Sequence, residues 1–294
     1  MESETIIGLI RDLKKMGVFW FGFTGGEPLL NKDLVKIVES VGSGASVKLF
    51  TTGCTLTKRL AADLENAGLY SVSVSLDHWS EGVHDSVRNY KGAFRAALNA
   101  IGIFKSLGRV HVSVSAVVSR TMIREHQVEI FLEFLRQLGV HEAWLSEAKP
   151  SVENYWKEEL VITEEERLQL CRLQDRYNRD GTMTVNYLGH FEGKEHFGCS
   201  GGNKMVYVDA CGNVSPCVFL PVSLGNVNEK SIRQIYEEMR PLFPTSDRCF
   251  VNANYGLVQK YYRSESPISV ADSKKVFEES AATPLSRFFR LYNN

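Results

Sequence analysis

The stretch LKKMGVFWFGFTGGEPLLN, Leu13–Asn31, holds one full period of the pattern that decides the fold. An apolar-periodic helix closes at Gly17, where glycine supplies the left-handed residue that stops a helix. The apolar run VFWFGF follows as a strand and halts at the turn TGGEP. Asn31 is then placed to cap a second helix near Lys32–Ser40. The same ending recurs at LENAGL (Gly68), FKSLGR (Gly108) and LRQLGV (Gly139), each leading into YSVSVSL, VHVSVSAVV or HEAWLS. A further strand, SVKLFT, precedes a helix capped by Thr57. Strand alternating with helix means βαβ units and a parallel sheet. Five strands are expected before about residue 147. A partial barrel and a doubly wound sheet both fit, and both bind ligands at the carboxyl ends of their strands. TGGEP, TTGC and SLDHW should therefore line one rim. The array opens on a helix, where a parallel unit normally opens on a strand.

The chain has 294 residues, with 34 Lys+Arg against 35 Asp+Glu, so the basic stripe of a nucleic-acid binder is missing. The N-terminus is acidic and amphipathic, unlike a secretory signal. No apolar run is long enough to suggest a membrane span. Six cysteines are too few for a disulfide scaffold of this length, which points to a reducing, cytoplasmic setting. Past Lys149 the pattern changes to a charged helix opened by Thr163 and Glu166, then short strands, turns and an aromatic-anchored tail. The expected division is 1–149 and 150–294.

Two glycines and a proline at TGGEP offer backbone carbonyls that a ligand can approach, and Glu27 adds a carboxylate. An acceptor-rich turn suits an ammonium better than a phosphate, which wants N–H donors. A tight turn with a solvated glutamate reads equally well from spacing alone.

FTGGEPLL resembles the GGEP motif of the radical S-adenosylmethionine (SAM) enzymes. TTGC follows in the place of that family's TNG, with Thr52 for the usual Asn. VSVSLDHWSEGVHDSVRNYKGAFRAALNAI matches a further family segment at Ser75, Asp77, His84, Asp85, Arg88, Gly92 and Phe94, departing at Trp79 and Asn89. The resemblance covers roughly residues 5–150. It implies an α/β fold, a partial parallel (β/α) barrel with its first strand absent, plus a small α+β C-terminal extension. It also implies that Gly25, Gly26 and Glu27 hold the methionyl ammonium of SAM, and that Ser75 and Arg88 contact its carboxylate or ribose. Local alternatives are a strand-end hydroxyl bond for Ser75 and an ion pair with Asp85 for Arg88. His84 and Asp85 are expected to brace the next helix.

In that family a 4Fe–4S cluster on a Cys-x3-Cys-x2-Cys loop supplies the electron that cleaves SAM to a 5′-deoxyadenosyl radical. No such triplet occurs in this chain. A fragment of a longer enzyme, a degenerate relative, and a cluster supplied by a second chain would each account for that. The chain alone is expected not to cleave SAM reductively.

CSGGNKMVYVDACGNVSPC, with LGNVNEKSIRQIYEEM after it, resembles the opening of a SPASM or twitch extension. That resemblance implies an auxiliary 4Fe–4S cluster on Cys199, Cys217 and Cys249, with Cys211 a weaker fourth; thiolates of this kind also suit zinc. Cys171 reads as a buried core thiol, and Cys54 carries no assignment. The implied function is a radical SAM enzyme acting on a peptide or small-molecule substrate with a reductant such as ferredoxin or flavodoxin. A non-catalytic SAM-, peptide- or metal-binding scaffold is the alternative. No residue is identified as a catalytic acid, base or hydrogen-atom donor.

Overall fold

The computed structural model describes residues 1–149, 158–194, 196–243, 246–262, 267–280 and 283–292. Contacts divide the chain into two units. One comprises Glu2–Ser146 and Leu168–Tyr187; the other comprises Met1, Glu147–Arg167 and Leu188–Asn294. The first unit thus extends past the boundary expected at 149/150, because Leu168–Tyr187 returns to it with a sixth strand.

The strands of the first unit are β1 (Trp20–Phe23), β2 (Ser46–Thr51), β3 (Ser71–Ser75), β4 (His111–Val118), β5 (Glu142–Glu147) and β6 (Thr184–Tyr187). They stand in the order β1-β2-β3-β4-β5-β6, and every pair with a determined register is parallel. A doubly wound sheet would reverse its order at a switch point; this one does not. Lys48 on β2 meets Glu142 on β5, Nζ to Oε2, at 3.0 Å. Flat strands would hold β2 and β5 about 14 Å apart, three spacings of roughly 4.8 Å, so the sheet curls. The result is the partial barrel.

The strands show why they curl around a polar face. In β3, SVSVS, alternate residues point to opposite sides. Val72 and Val74 are fully buried and sit in register with Leu49 and Val112 or with Val114. The helices that face the apolar side are α1 (Ser3–Lys15), α2 (Leu34–Val41), α3 (Lys58–Asn66), α4 (Glu81–Arg88), α5 (Ala93–Leu107), α6 (Arg120–Arg124) and α7 (Gln127–Leu138). They contribute buried residues such as Ile37, Leu64, Phe104 and Phe131. The opposite side carries Lys48, Ser71, Ser73 and Ser113, all buried. There Glu142 also accepts from Asn186 Nδ2, and Lys48 Nζ lies 4.5 Å from the Trp144 ring.

Gly17, Gly68, Gly108 and Gly139 all have positive φ, as their helix-ending role requires. Thr57 Oγ1 accepts from Leu60 N at 3.1 Å and caps α3. Asn31 does not cap α2: a 3-10 turn, Pro28–Leu30, intervenes. Asp33 takes the cap position, and Asn31 Oδ1 instead accepts from Asp33 N.

The division between units falls within α8 (Glu164–Asp180), opened by the expected Thr163–Glu166 box. The second unit continues with α9 (Leu188–Phe191) and the antiparallel pair β7 (Tyr207–Val208) and β8 (Val214–Ser215). It ends with α10 (Ile232–Met239), α11 (Phe250–Tyr261), α12 (Val270–Glu279) and α13 (Arg287–Tyr292). A core of Leu220, Val222, Met239, Phe243, Phe250 and Val276 includes all three candidate cysteines. Among the described residues no helix is long and apolar enough to cross a membrane.

Candidate cofactor sites

β1 ends at Phe23, and Thr24, Gly25 and Gly26 cross the rim exposed. Gly25 has φ +129°, and a Cβ at Gly25 or Gly26 would meet no atom within 4 Å. Gly53 is different. It has φ +78°, and a Cβ there would lie 2.6 Å from Ala100 Cβ. Close packing on α5 requires glycine at 53, whereas open space surrounds 25 and 26.

Glu27 is half-buried, and its carboxylate accepts four hydrogen bonds. Oε1 accepts from Thr51 Oγ1 at 2.6 Å and Leu29 N at 3.1 Å. Oε2 accepts from Thr52 N at 2.7 Å and from Thr52 Oγ1. A carboxylate offers about four lone-pair sites, so these are filled from within the protein. Thr51 Oγ1 in turn accepts from Gly53 N at 3.0 Å. The β1 and β2 ends are thereby tied into one rim. Glu27 O and Pro28 O accept from Leu30 N and Asn31 N, whereas the Gly25 and Gly26 carbonyls accept no backbone bond among the described residues.

At the end of β3, Ser75 is half-buried in register with Ser115, and its hydroxyl has no partner among the described residues. The local backbone bond weighed for Ser75 is not made. Asp77, buried, is the hub of this corner. Its Oδ1 accepts from Val117 N at 3.1 Å, and its Oδ2 from Arg88 Nε at 2.6 Å. Arg88 therefore pairs with Asp77, not with Asp85 as the local alternative had it. Asp85 instead accepts from Gly92 N at 2.6 Å and Phe94 N at 2.9 Å, capping α5. These two amides hold its carboxyl below the usual range. The pairing of Arg88 uses only Nε; the terminal guanidinium nitrogens hold no partner among the described residues. His84 Nδ1 accepts from Asp77 N at 3.1 Å, which needs a neutral ring, and burial pushes the imidazole down from its ordinary value.

The second site lies wholly in the second unit. Cys199, Cys217 and Cys249 are buried, whereas Cys211 in the β7–β8 turn is exposed. Cys199 N donates to Ser246 O at 2.8 Å, and Gly202 N donates to Pro216 O at 3.1 Å. The three thiols are thereby drawn together from three segments. Backbone amides of Phe250 and Gly201 are directed at Cys199 sulfur, that of Phe219 at Cys217, and that of Asn252 at Cys249. Burial pushes all three thiols up, Cys249 to about 12. Lys149 Nζ stands 3.3 Å from Cys249 Sγ and 2.8 Å from Glu192 Oε2. Burial alone would lower this lysine, but the Cys249 sulfur and the Glu192 and Glu147 carboxylates outweigh it and hold it charged. Thiols that cost free energy to ionise, surrounded by N–H donors and an ammonium, fit an iron–sulfur cluster, whose thiolate sulfurs take such bonds. No three His, Cys, Asp or Glu side chains among the described residues converge on a single-ion site.

Cys54 is exposed, and it is the one cysteine before Cys171 in the chain. The rim therefore offers no three-thiolate set for a SAM-cleaving cluster, and no step through such a cluster follows from these residues. Cys171 is half-buried on α8, less enclosed than expected. Thr51, Thr52, Lys149 and Glu192 were not singled out for these contacts by sequence reasoning. The adjacency of TTG to a second strand end was a signal for the threonines; Lys149 and Glu192 gave none.

Comparison with known proteins places these features. The radical SAM superfamily model matches residues 1–144. A model described as an iron–sulfur cluster-binding domain, SPASM, matches residues 199–249, so it begins and ends on two of the buried cysteines. The chain is 27% identical over 238 residues to an AdoMet-dependent heme synthase of Methanosarcina barkeri, covering 73% of this chain and 67% of that protein. It is 26% identical over 229 residues to the mycofactocin maturase MftC of Mycolicibacterium smegmatis, covering 74% and 57%. The fold matches Streptococcus suis SuiB bound to the precursor peptide SuiA with a TM-score of 0.69 at 15% identity, over 93% of this chain and 69% of that one. The chain belongs to the radical SAM superfamily and carries a SPASM-type iron–sulfur extension.

Proposed function

We propose that this chain binds SAM on the barrel rim and one iron–sulfur cluster on its three buried thiols, as part of a radical SAM enzyme that modifies a peptide. Membership of the family makes SAM and iron–sulfur its cofactors; the assignment to particular residues is ours. The observation that carries it is the Gly25–Glu27 turn: no bond to the Gly25 or Gly26 carbonyl is seen among the described residues, a Cβ at either glycine would meet nothing within 4 Å, and the Glu27 carboxylate is already bonded. The SAM ammonium is held by the Gly25 and Gly26 carbonyls. Glu27 acts as the brace that fixes their direction. The free guanidinium nitrogens of Arg88 form the fork that suits the SAM carboxylate, and the Ser75 hydroxyl is free to bond beside it. Cys199, Cys217 and Cys249 would hold the cluster, which would supply one-electron chemistry there. Their buried setting excludes water. Peptide is the favoured substrate class because relatives include a protein named as a mycofactocin maturase and a neighbour bound to a precursor peptide. Ferredoxin or flavodoxin is the proposed reductant.

A non-catalytic SAM-binding scaffold is the second reading, favoured by the solitary rim cysteine, Cys54. Anaerobic calorimetry with SAM, iron and sulfide analysis, and a dithionite assay for 5′-deoxyadenosine test both. We expect SAM to bind and about four irons and four sulfides per chain, with no 5′-deoxyadenosine from this chain alone. Failure to bind SAM would remove the rim assignment. Formation of 5′-deoxyadenosine would show that the chain completes a SAM-cleaving cluster after all.

A further inference from the structure

Lys149 occupies a position where an ammonium is costly. Its side chain is 1% exposed, and taking such a charge out of water is strongly unfavourable unless it is paired. Among the described residues, three acceptors lie close to it: Cys249 Sγ at 3.3 Å, Glu192 Oε2 at 2.8 Å and Glu147 Oε1 at 3.6 Å. Glu147 is itself engaged from the other side, by Arg167 Nη2 at 3.0 Å and Asn252 Nδ2 at 3.2 Å. Of these three acceptors, the two nearest are Glu192 Oε2 and the sulfur of a candidate cluster ligand.

We propose that Lys149 and Glu192 form an opposed charge pair that sets the reduction potential of the auxiliary cluster. The inference rests on the reading of Cys199, Cys217 and Cys249 as its ligands. Reduction adds negative charge to a thiolate-bound cluster. A cation donating to one of its sulfurs stabilises the reduced form, and a carboxylate nearby opposes it. Lys149 draws the potential up, and Glu192 restrains it. Both are positioning residues: Lys149 acts through the Cys249 sulfur, and Glu192 through Lys149.

The test is spectroelectrochemical titration of the full chain with its reconstituted cluster, in wild type, Lys149→Met, Lys149→Arg and Glu192→Gln. Lys149→Met is expected to lower the midpoint by at least a tenfold change in the oxidised-to-reduced ratio, about 59 mV for a one-electron couple. Lys149→Arg, which keeps the charge, should return most of that shift. Glu192→Gln should move the midpoint the opposite way. A purely structural lysine would not give shifts of opposite sign. Should Lys149→Met hold no iron, Glu192→Gln decides: a raised midpoint supports the pair, and an unchanged or lowered one overturns it. An unshifted Lys149→Met with full iron also overturns it. Wild-type protein lacking iron and sulfide would overturn the cluster reading itself, and the pair with it; iron and sulfide analysis separates that result from the others.

Discussion

At the barrel rim the charged group, Glu27, is bonded to its own protein and the open acceptors are backbone. At the thiol centre the backbone is turned inward as donors, and the charged groups, Lys149 and Glu192, are held against the reactive atoms. The rim is exposed and pre-braced, which suits a small molecule that comes and goes: little has to rearrange when it binds. The centre is buried and raises its thiols, which suits a group installed once with release of protons. On the proposed assignment, exposure and charge placement would separate an exchangeable ligand from a resident one within a single chain.

The largest expected effect would break the second half of that contrast. Cys217→Ser should abolish the auxiliary iron and sulfide measured after anaerobic reconstitution, while SAM titration of the same protein stays at the wild-type value. Loss of both would show that the two sites are not separable. At the rim, Glu27→Ala leaves the Thr52 and Leu29 amides without their acceptor. Hydrogen bonds to a charged group contribute about 1.5–3 kcal/mol, so SAM affinity by calorimetry should fall on the order of 100-fold. Glu27→Gln, able to accept on one side only, should fall between.

Gly26→Ala sharpens the same point at smaller cost to the fold. A Cβ there meets no protein atom within 4 Å. The thermal midpoint should shift by little, within about 0.5 kcal/mol of stability, yet SAM binding should weaken at least tenfold. Unchanged SAM binding would show that the ligand does not approach the turn.

The smallest effect concerns pH. His78, His84 and His111, all in the barrel unit, are held below the ordinary imidazole value of 6.5 chiefly by burial. A depressed native value means the unfolded chain binds more protons between the two values. Stability is then full above 6.5 and declines as pH falls below it, until the native rings titrate. Urea midpoints measured from pH 7.5 to 5.5 should fall, and His84→Gln should flatten the decline.

Much of this was legible in the chain. Helix and strand periods, and the glycines at 17, 68, 108 and 139, depend on neighbours in sequence, and they marked the parallel βα array. The alternation in SVSVS was equally local. Five strands could be counted; the sixth, β6, returns after a charged helix, and only its pairing with β5 assigns it to the barrel. At the rim, residue types at TGGEP pointed to an ammonium, but that Thr51 and Thr52 bond the Glu27 carboxylate is written nowhere in local spacing. Arg88 changed partner for the same reason: Asp85 is close along the helix, but Asp77 is the carboxylate its Nε reaches.

The amino-acid order by itself determined the element types, the polar rim motifs and the three cysteines, because each is written in local period or residue chemistry. The tertiary structure alone decided which groups satisfy one another. Lys149 meets Cys249 across 100 residues and Glu192 across 43. No local pattern encodes such a meeting; it exists only once burial forces each charge to find its partner.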